Sequence, residues 1–154
     1  MSARPPFPRT ICACPRDVAQ CARPAHLIPS DVPVLIERLV ETKRIDPEHA
    51  TIGGLGTWLR ASKGAVVMDS QTGQVVRVGT ITPKVRHGQC VFLTKDKQCS
   101  IHDVAPFGCA YFDVHMPRAE ADQRSLWGLQ QIMLSAAYMY TRTLLPTDEG
   151  PAGR

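Results

Sequence analysis

Six cysteines stand in two groups of three: Cys12, Cys14 and Cys21 near the start, and Cys90, Cys99 and Cys109 within the stretch CVFLTKDKQCSIHDVAPFGCAYF that runs from Cys90 to Phe112. The interior between them has none. Thiolate sulfur is a soft ligand that suits zinc and iron–sulfur clusters, and four thiolates complete either a tetrahedral zinc or the corners of a cubane. The spacing therefore offers two ligand arms closing on one centre or on two neighbouring ones, with all six cysteines as candidate ligands. Six exceeds one site by two. The surplus is either a second site helped by His26, His102 or His115, or a pair of cysteines packed as small hydrophobes.

Short structural zinc sites usually carry Cys-x2-Cys knuckles, and neither group contains one. Eight residues separate Cys90 from Cys99 and nine separate Cys99 from Cys109, which suits a bulky cluster wrapped by loops. A [4Fe-4S]-type cluster is thus expected ahead of zinc. Phe92, Phe107, Tyr111 and Phe112 would form an apolar shell that limits solvent, one lever on reduction potential.

Composition sets the frame for this chemistry. A chain of 154 residues fits one domain, and with only 6% aromatic residues its core is modest, so a metal would help close it. The net charge is +4, but the Lys and Arg residues are scattered and give no footprint for nucleic acid. The opening residues MSARPPFPRT lack the apolar core of a signal peptide, and no run approaches the roughly 18 to 20 apolar residues of a membrane span. The expected compartment is the cytosol, where thiols stay reduced and clustered cysteines act as ligands rather than as disulfides. No Gly-rich phosphate loop, nucleophile elbow or HExxH helix is present. Gly54-Leu55-Gly56 lacks a third glycine and a leading strand, so it reads as a hinge.

The elements that must position the cysteines follow from periodicity. Residues 1–10, with Pro5, Pro6 and Pro8, form an extended arm. Pro15 and Pro24 keep the first cysteine group in irregular chain. Ser30 caps a helix from Asp31 in which Val32, Leu35, Ile36, Leu39 and Val40 make one apolar stripe. Asp46-Pro47-Glu48 reads as a second cap and first turn. Ala65–Met68 and Gln74–Val78 are β-branched runs around a Gly-containing loop, an antiparallel hairpin whose second strand extends toward Pro83. After Pro117 a long helix is expected, and from Leu126 to Tyr140 it is apolar on nearly every face, which calls for burial against the core or against another protein. Residues 146–154 form a polar tail. The sum is a small α+β domain stabilised by metal over residues 11–145, with two main helices, one hairpin and extensive irregular loops.

Gly88-Gln-Cys90-Val-Phe-Leu93, followed by Gln98-Cys99-Ser-Ile-His102 and Ala105-Pro106-Phe-Gly-Cys109-Ala-Tyr-Phe112, resembles the second half of the YkgJ-like CxxCxxCC family of zinc- or iron-chelating domains. Cys12, Cys14 and Cys21 ahead of Ile28-Pro-Ser30-Asp31 look like its first half, although the spacing here is Cys-x-Cys-x6-Cys and Ala105 replaces the usual Arg before the proline. The resemblance implies a shared cysteine-cluster fold. With the residues themselves it supports a small iron–sulfur protein acting in electron transfer or as an accessory or maturation subunit, meeting a protein partner or a second copy through the C-terminal helix. Two alternatives stand beside it: an enzyme with an open metal position served by His102, Asp103 or His115, and a zinc-structured adaptor for protein or nucleic acid.

Overall fold

The computed structural model describes residues 4–10, 25–49, 52–69, 71–96, 98–112 and 115–147. Helix α1 (Asp31–Glu41) buries Leu35 and Leu39 on the expected stripe, with Val32, Ile36 and Val40 packed beside them. Ser30 occupies the cap position but makes no side-chain cap bond. The neighbouring Asp31 carboxylate does the polar work instead, accepting from the N–H groups of Ile28 and of distant Phe107. The helix ends with Lys43 at φ 59°; the Lys43 N–H donates to Val40 O and the Arg44 N–H to Leu39 O, a Schellman termination with lysine in the position that glycine usually fills.

A 3-10 turn, Pro47–His49, follows, with the Asp46 side chain accepting from the Glu48 N–H as a cap should. The Gly-rich stretch forms a single helical turn, α2 (Ile52–Leu55). Strands β1 (Leu59–Met68) and β2 (Val75–Pro83) pair antiparallel. The ladder reaches further toward the core than the β-branched run alone suggests. Its extra length is legible only in three dimensions, because Lys63 and Gly64 interrupt the pattern with a bulge between Ser62 and Ala65. Gly64 is obligatory there: at φ +93° a Cβ would fall 1.6 Å from Val78 O. A second, very short hairpin pairs β3 (Val85–Arg86) with β4 (Gln89–Cys90). Its two-residue turn, His87-Gly88, has positive φ at both positions (54° and 76°), the signature of a type I′ turn.

A 3-10 turn (His102–Val104) leads into the short helix α3 (Phe107–Ala110), and two further helices close the fold, α4 (Arg118–Met133) and α5 (Ala136–Thr143). The single long C-terminal helix expected from the sequence is thus broken at Leu134–Ser135. Ser135 is extended and its side chain accepts from the Tyr138 N–H, capping α5. The break turns Tyr138 inward, where its hydroxyl donates to Leu27 O at 2.6 Å and accepts from the Ile81 N–H at 2.7 Å. Leu27, Leu39, Leu59 and Ile81 are fully buried in the core between α1, the β1–β2 hairpin and the C-terminal helices.

Candidate metal centre

Cys109 lies in α3, a helical turn begun by Pro106 and held from four directions. At its start the Phe107 N–H donates to Asp31 Oδ2 at 2.9 Å. The Gly108 N–H donates to His26 O at 2.9 Å, an approach that only glycine permits, since a Cβ at position 108 would come within 2.5 Å of His26 N. At its end Ala110 O accepts from the Thr10 N–H at 2.8 Å, while the Thr10 hydroxyl lies within reach of Ala110 O and Phe112 O. Beyond it, Tyr111 O accepts from Arg124 of α4 at 3.0 Å.

Arg124 is only 5% exposed. Its guanidinium also donates to Pro8 O at 3.1 Å and pairs with Glu120 at 2.8 Å, one turn earlier on the same helix. Phe7 lies beneath it at 5.0 Å and meets Trp127 edge-on. Phe107 in turn packs on Tyr111, Phe112 and Trp127 with centroids 5.3 to 5.6 Å apart. Gly128 lets the Phe107 ring come close to α4, since a Cβ there would meet the ring at 2.8 Å. Burial pushes the Asp31 carboxyl up to about 6, against the pull of its two N–H donors and of Arg9.

Cys90 and Cys99 have different surroundings. Both pack against the apolar core, Cys90 from the short hairpin and Cys99 through a bridge to Leu93. Phe92 stacks on Trp58 at 5.7 Å, with Arg44 over both rings and bonded to Ser100. Burial raises the Cys99 thiol, against the pull of a backbone hydrogen bond at Ile101 and of the Arg44 charge. The expected aromatic shell therefore divides: Tyr111, Phe112 and Trp127 pack on Phe107, in or next to the turn that carries Cys109, whereas Phe92 belongs to the core with Cys90 and Cys99 packed against it.

The three cysteines of this group are half-buried, and no three Cys, His, Asp or Glu side chains among the described residues come together as one ligand set. Cys12, Cys14 and Cys21 lie outside the described residues. Of the histidines, His26 is half-buried, its pKa lowered by loss of solvent, and shares a 2.6 Å hydrogen bond with Thr80 Oγ1; His102 and His115 are exposed. Asp103 is held by both Arg38 Nη atoms at 2.7 Å, and that partner pulls its pKa down to about 2, which makes it a weak proton acceptor.

Among the described residues no thiolate set is complete; the turn that bears Cys109 is hydrogen-bonded to Thr10 and to His26, which lie on either side of residues 11–24 in the sequence. Four contributors to this region escape a reading of sequence: Asp31 looks like a helix-start residue, Arg124 and Trp127 like parts of a helix face, and Gly108 like a loop glycine. An acidic residue at the first helical position ahead of a distant Gly-Cys is the one signal available.

No helix among the described residues is long and apolar enough to cross a membrane. No family model, curated protein or solved structure matches this chain.

Proposed function

We propose that this chain is a small metal-binding protein whose centre, a [4Fe-4S]-type cluster, is held by Cys109 together with Cys12, Cys14 and Cys21. One observation carries the reading: the chain on either side of residues 11–24 is hydrogen-bonded to the turn that bears Cys109, at Thr10 to Ala110 and at Gly108 to His26. Two residues of chain span at most about 7 Å and four at most about 14 Å. Covalent geometry alone therefore keeps Cys12 close to its anchor at Thr10, and Cys21 within reach of Ala25. Four thiolates satisfy a cluster, and the core packing of Cys90 and Cys99 gives that pair a role as small hydrophobes.

A bound cluster supplies one-electron transfer. The chain's own part is to hold the sulfurs and to shield them with Phe107, Tyr111 and Phe112. With no Gly-rich phosphate loop, nucleophile elbow or HExxH helix in the sequence, the reading is of a protein that acts in electron transfer or as an accessory or maturation subunit of a larger enzyme, in a reducing compartment. Its partner, another protein or a second copy, meets the corner between α4 and α5, where Met133, Leu134 and Tyr140 are 62%, 82% and 66% exposed. Anaerobic purification followed by iron, sulfide and visible-absorbance measurements tests the centre. Iron and acid-labile sulfide in the wild type and their loss in Cys109→Ser are expected; a colourless protein with stoichiometric zinc overturns the cluster, and full metal in Cys109→Ser overturns the site.

A further inference from the structure

Two charged side chains, one on α1 and one on α4, each tie together the same two stretches of chain. Asp31 Oδ2 accepts from the Ile28 N–H and from the Phe107 N–H, both at 2.9 Å. It thereby joins the segment that follows residues 11–24 to the start of α3. Arg124 Nη1 donates to Pro8 O at 3.1 Å and to Tyr111 O at 3.0 Å, joining the segment that precedes residues 11–24 to the end of α3. The charge at each end matches the backbone groups it meets: an anion where N–H groups point inward, a cation where carbonyls do. Placing a carboxylate and a guanidinium in poorly solvated positions costs free energy unless each is paired and hydrogen-bonded. Arg124 still keeps a buried Nε without a hydrogen-bond partner among the described residues.

We propose that Asp31 and Arg124 are positioning residues for the metal centre, a pair of clips that fix both flanks of the first cysteine group against the turn bearing Cys109. Neither touches the metal. The assignment rests on the reading of Cys109 as a ligand, but its geometry concerns residues 8, 28, 107 and 111, none of them a proposed ligand. Arginine suits its clip because Nη1 holds two N–H bonds in fixed directions, one for each carbonyl, while Nη2 meets Glu120; the ammonium of lysine has no such fixed plane and no second nitrogen. Asp31 uses a single oxygen for both bonds, which leaves Oδ1 to carry a proton without breaking the clip.

The test compares Arg124→Gln, Arg124→Lys and Asp31→Ala with wild type by two readouts. Amide hydrogen exchange reports the flanks directly: the Thr10 and Gly108 N–H groups should exchange at least tenfold faster in each variant, while the Leu27 N–H, bonded to Ile81 O in the core, keeps its wild-type rate. Competition with a chelator reports the centre, whose metal affinity should fall by about tenfold to a hundredfold, as for other residues that orient ligands. Unchanged exchange at Thr10 and Gly108 in a folded variant overturns the clips. Faster exchange with unchanged metal affinity overturns their positioning role. Faster exchange in a chain that binds no metal even as wild type leaves the clips as fold elements and overturns both the positioning role and the reading it rests on. If Arg124→Gln and Asp31→Ala do not fold, Arg124→Lys, which keeps the charge and stem, decides: wild-type exchange at Thr10 then overturns the Arg124 clip.

Discussion

Cys99 and Cys109 are separated by nine residues, yet the structure treats them in different ways. Cys109 sits where distant chain segments are tied together by polar bonds: Thr10, His26, Asp31 and Arg124 all reach the turn that carries it or its immediate flanks. Cys99 and Cys90 are held by local chain, a two-residue hairpin and a single bridge, and by apolar packing on Phe92 and its neighbours. A thiol set among small hydrophobes contributes burial. A thiol on a polar crossroads is placed for partners that arrive from elsewhere in the chain. On the proposed assignment, closeness in sequence is a poor guide to which thiols act together.

The comparison breaks most sharply under serine substitution. Cys109→Ser should remove the metal almost completely, while the double variant Cys90→Ser, Cys99→Ser should keep it and lose instead roughly 1–3 kcal/mol of stability, the cost of putting hydroxyls into partly buried apolar positions. Iron content and urea unfolding on both proteins check this. Loss of metal from the double variant together with retention in Cys109→Ser would reverse the assignment.

The two regions should also respond to pH with opposite sign. Burial holds Asp31 up at about 6, so between its ordinary value of 3.8 and 6 the folded protein binds more protons than the unfolded chain. That contribution is complete below pH 4 and is lost as pH rises through 6. The shift of roughly two units corresponds to about 3 kcal/mol at most. Asp103, near Cys99, is pulled down to about 2 by Arg38, so its contribution is present above pH 4 and is lost as pH falls toward 2. Its exposure keeps that effect small. Unfolding free energies of wild type and Asp31→Asn from pH 3 to 7 should differ by a gap that changes between pH 4 and 6, and Asp103→Asn should flatten only the acid side.

Gly108 and Gly128 give a smaller contrast within the Cys109 region. At Gly108 the obstacle to a Cβ is backbone, His26 N at 2.5 Å; at Gly128 it is the edge of the Phe107 ring at 2.8 Å, which can tilt. Gly108→Ala should cost about 2–3 kcal/mol and weaken metal binding, and Gly128→Ala about 1 kcal/mol, partly offset by helix propensity. Chemical denaturation of both variants measures the difference.

How much of this was legible in the sequence follows from the range of each interaction. The apolar stripe of α1, the β1–β2 hairpin and the α+β class rest on local periodicity, and each is present at its expected place. The interruption at Ser135 went unread because the surrounding residues are good helix formers. Only the inward bonds of Tyr138 to Leu27 and Ile81, more than fifty residues away, give the break its purpose. The hairpin before Cys90 hides in His87-Gly88, where a histidine takes the φ > 0 position that Asn or Asp more often fills. The ties from Thr10, His26 and Asp31 to the turn of Cys109 join residues 76 to 100 positions apart, and no pattern in a single sequence encodes which residue will reach that far.

The Cys99 side allows one further, milder test, because its electrostatic cover depends on a helix end. Lys43 holds the left-handed conformation that terminates α1, and the next residue, Arg44, extends from there over Trp58 and Phe92 to Ser100, beside Cys99. A side chain other than glycine or asparagine in that conformation costs about 1 kcal/mol. Lys43→Gly should relieve it and raise stability by about 0.5–1 kcal/mol, less the greater freedom glycine gives the unfolded chain. Because the Cys99 side is joined to the rest by packing, the gain should appear in the unfolding midpoint with no change in metal content. A change in metal affinity upon Lys43→Gly would mean that the two regions communicate, and that Cys99 takes part in the centre after all.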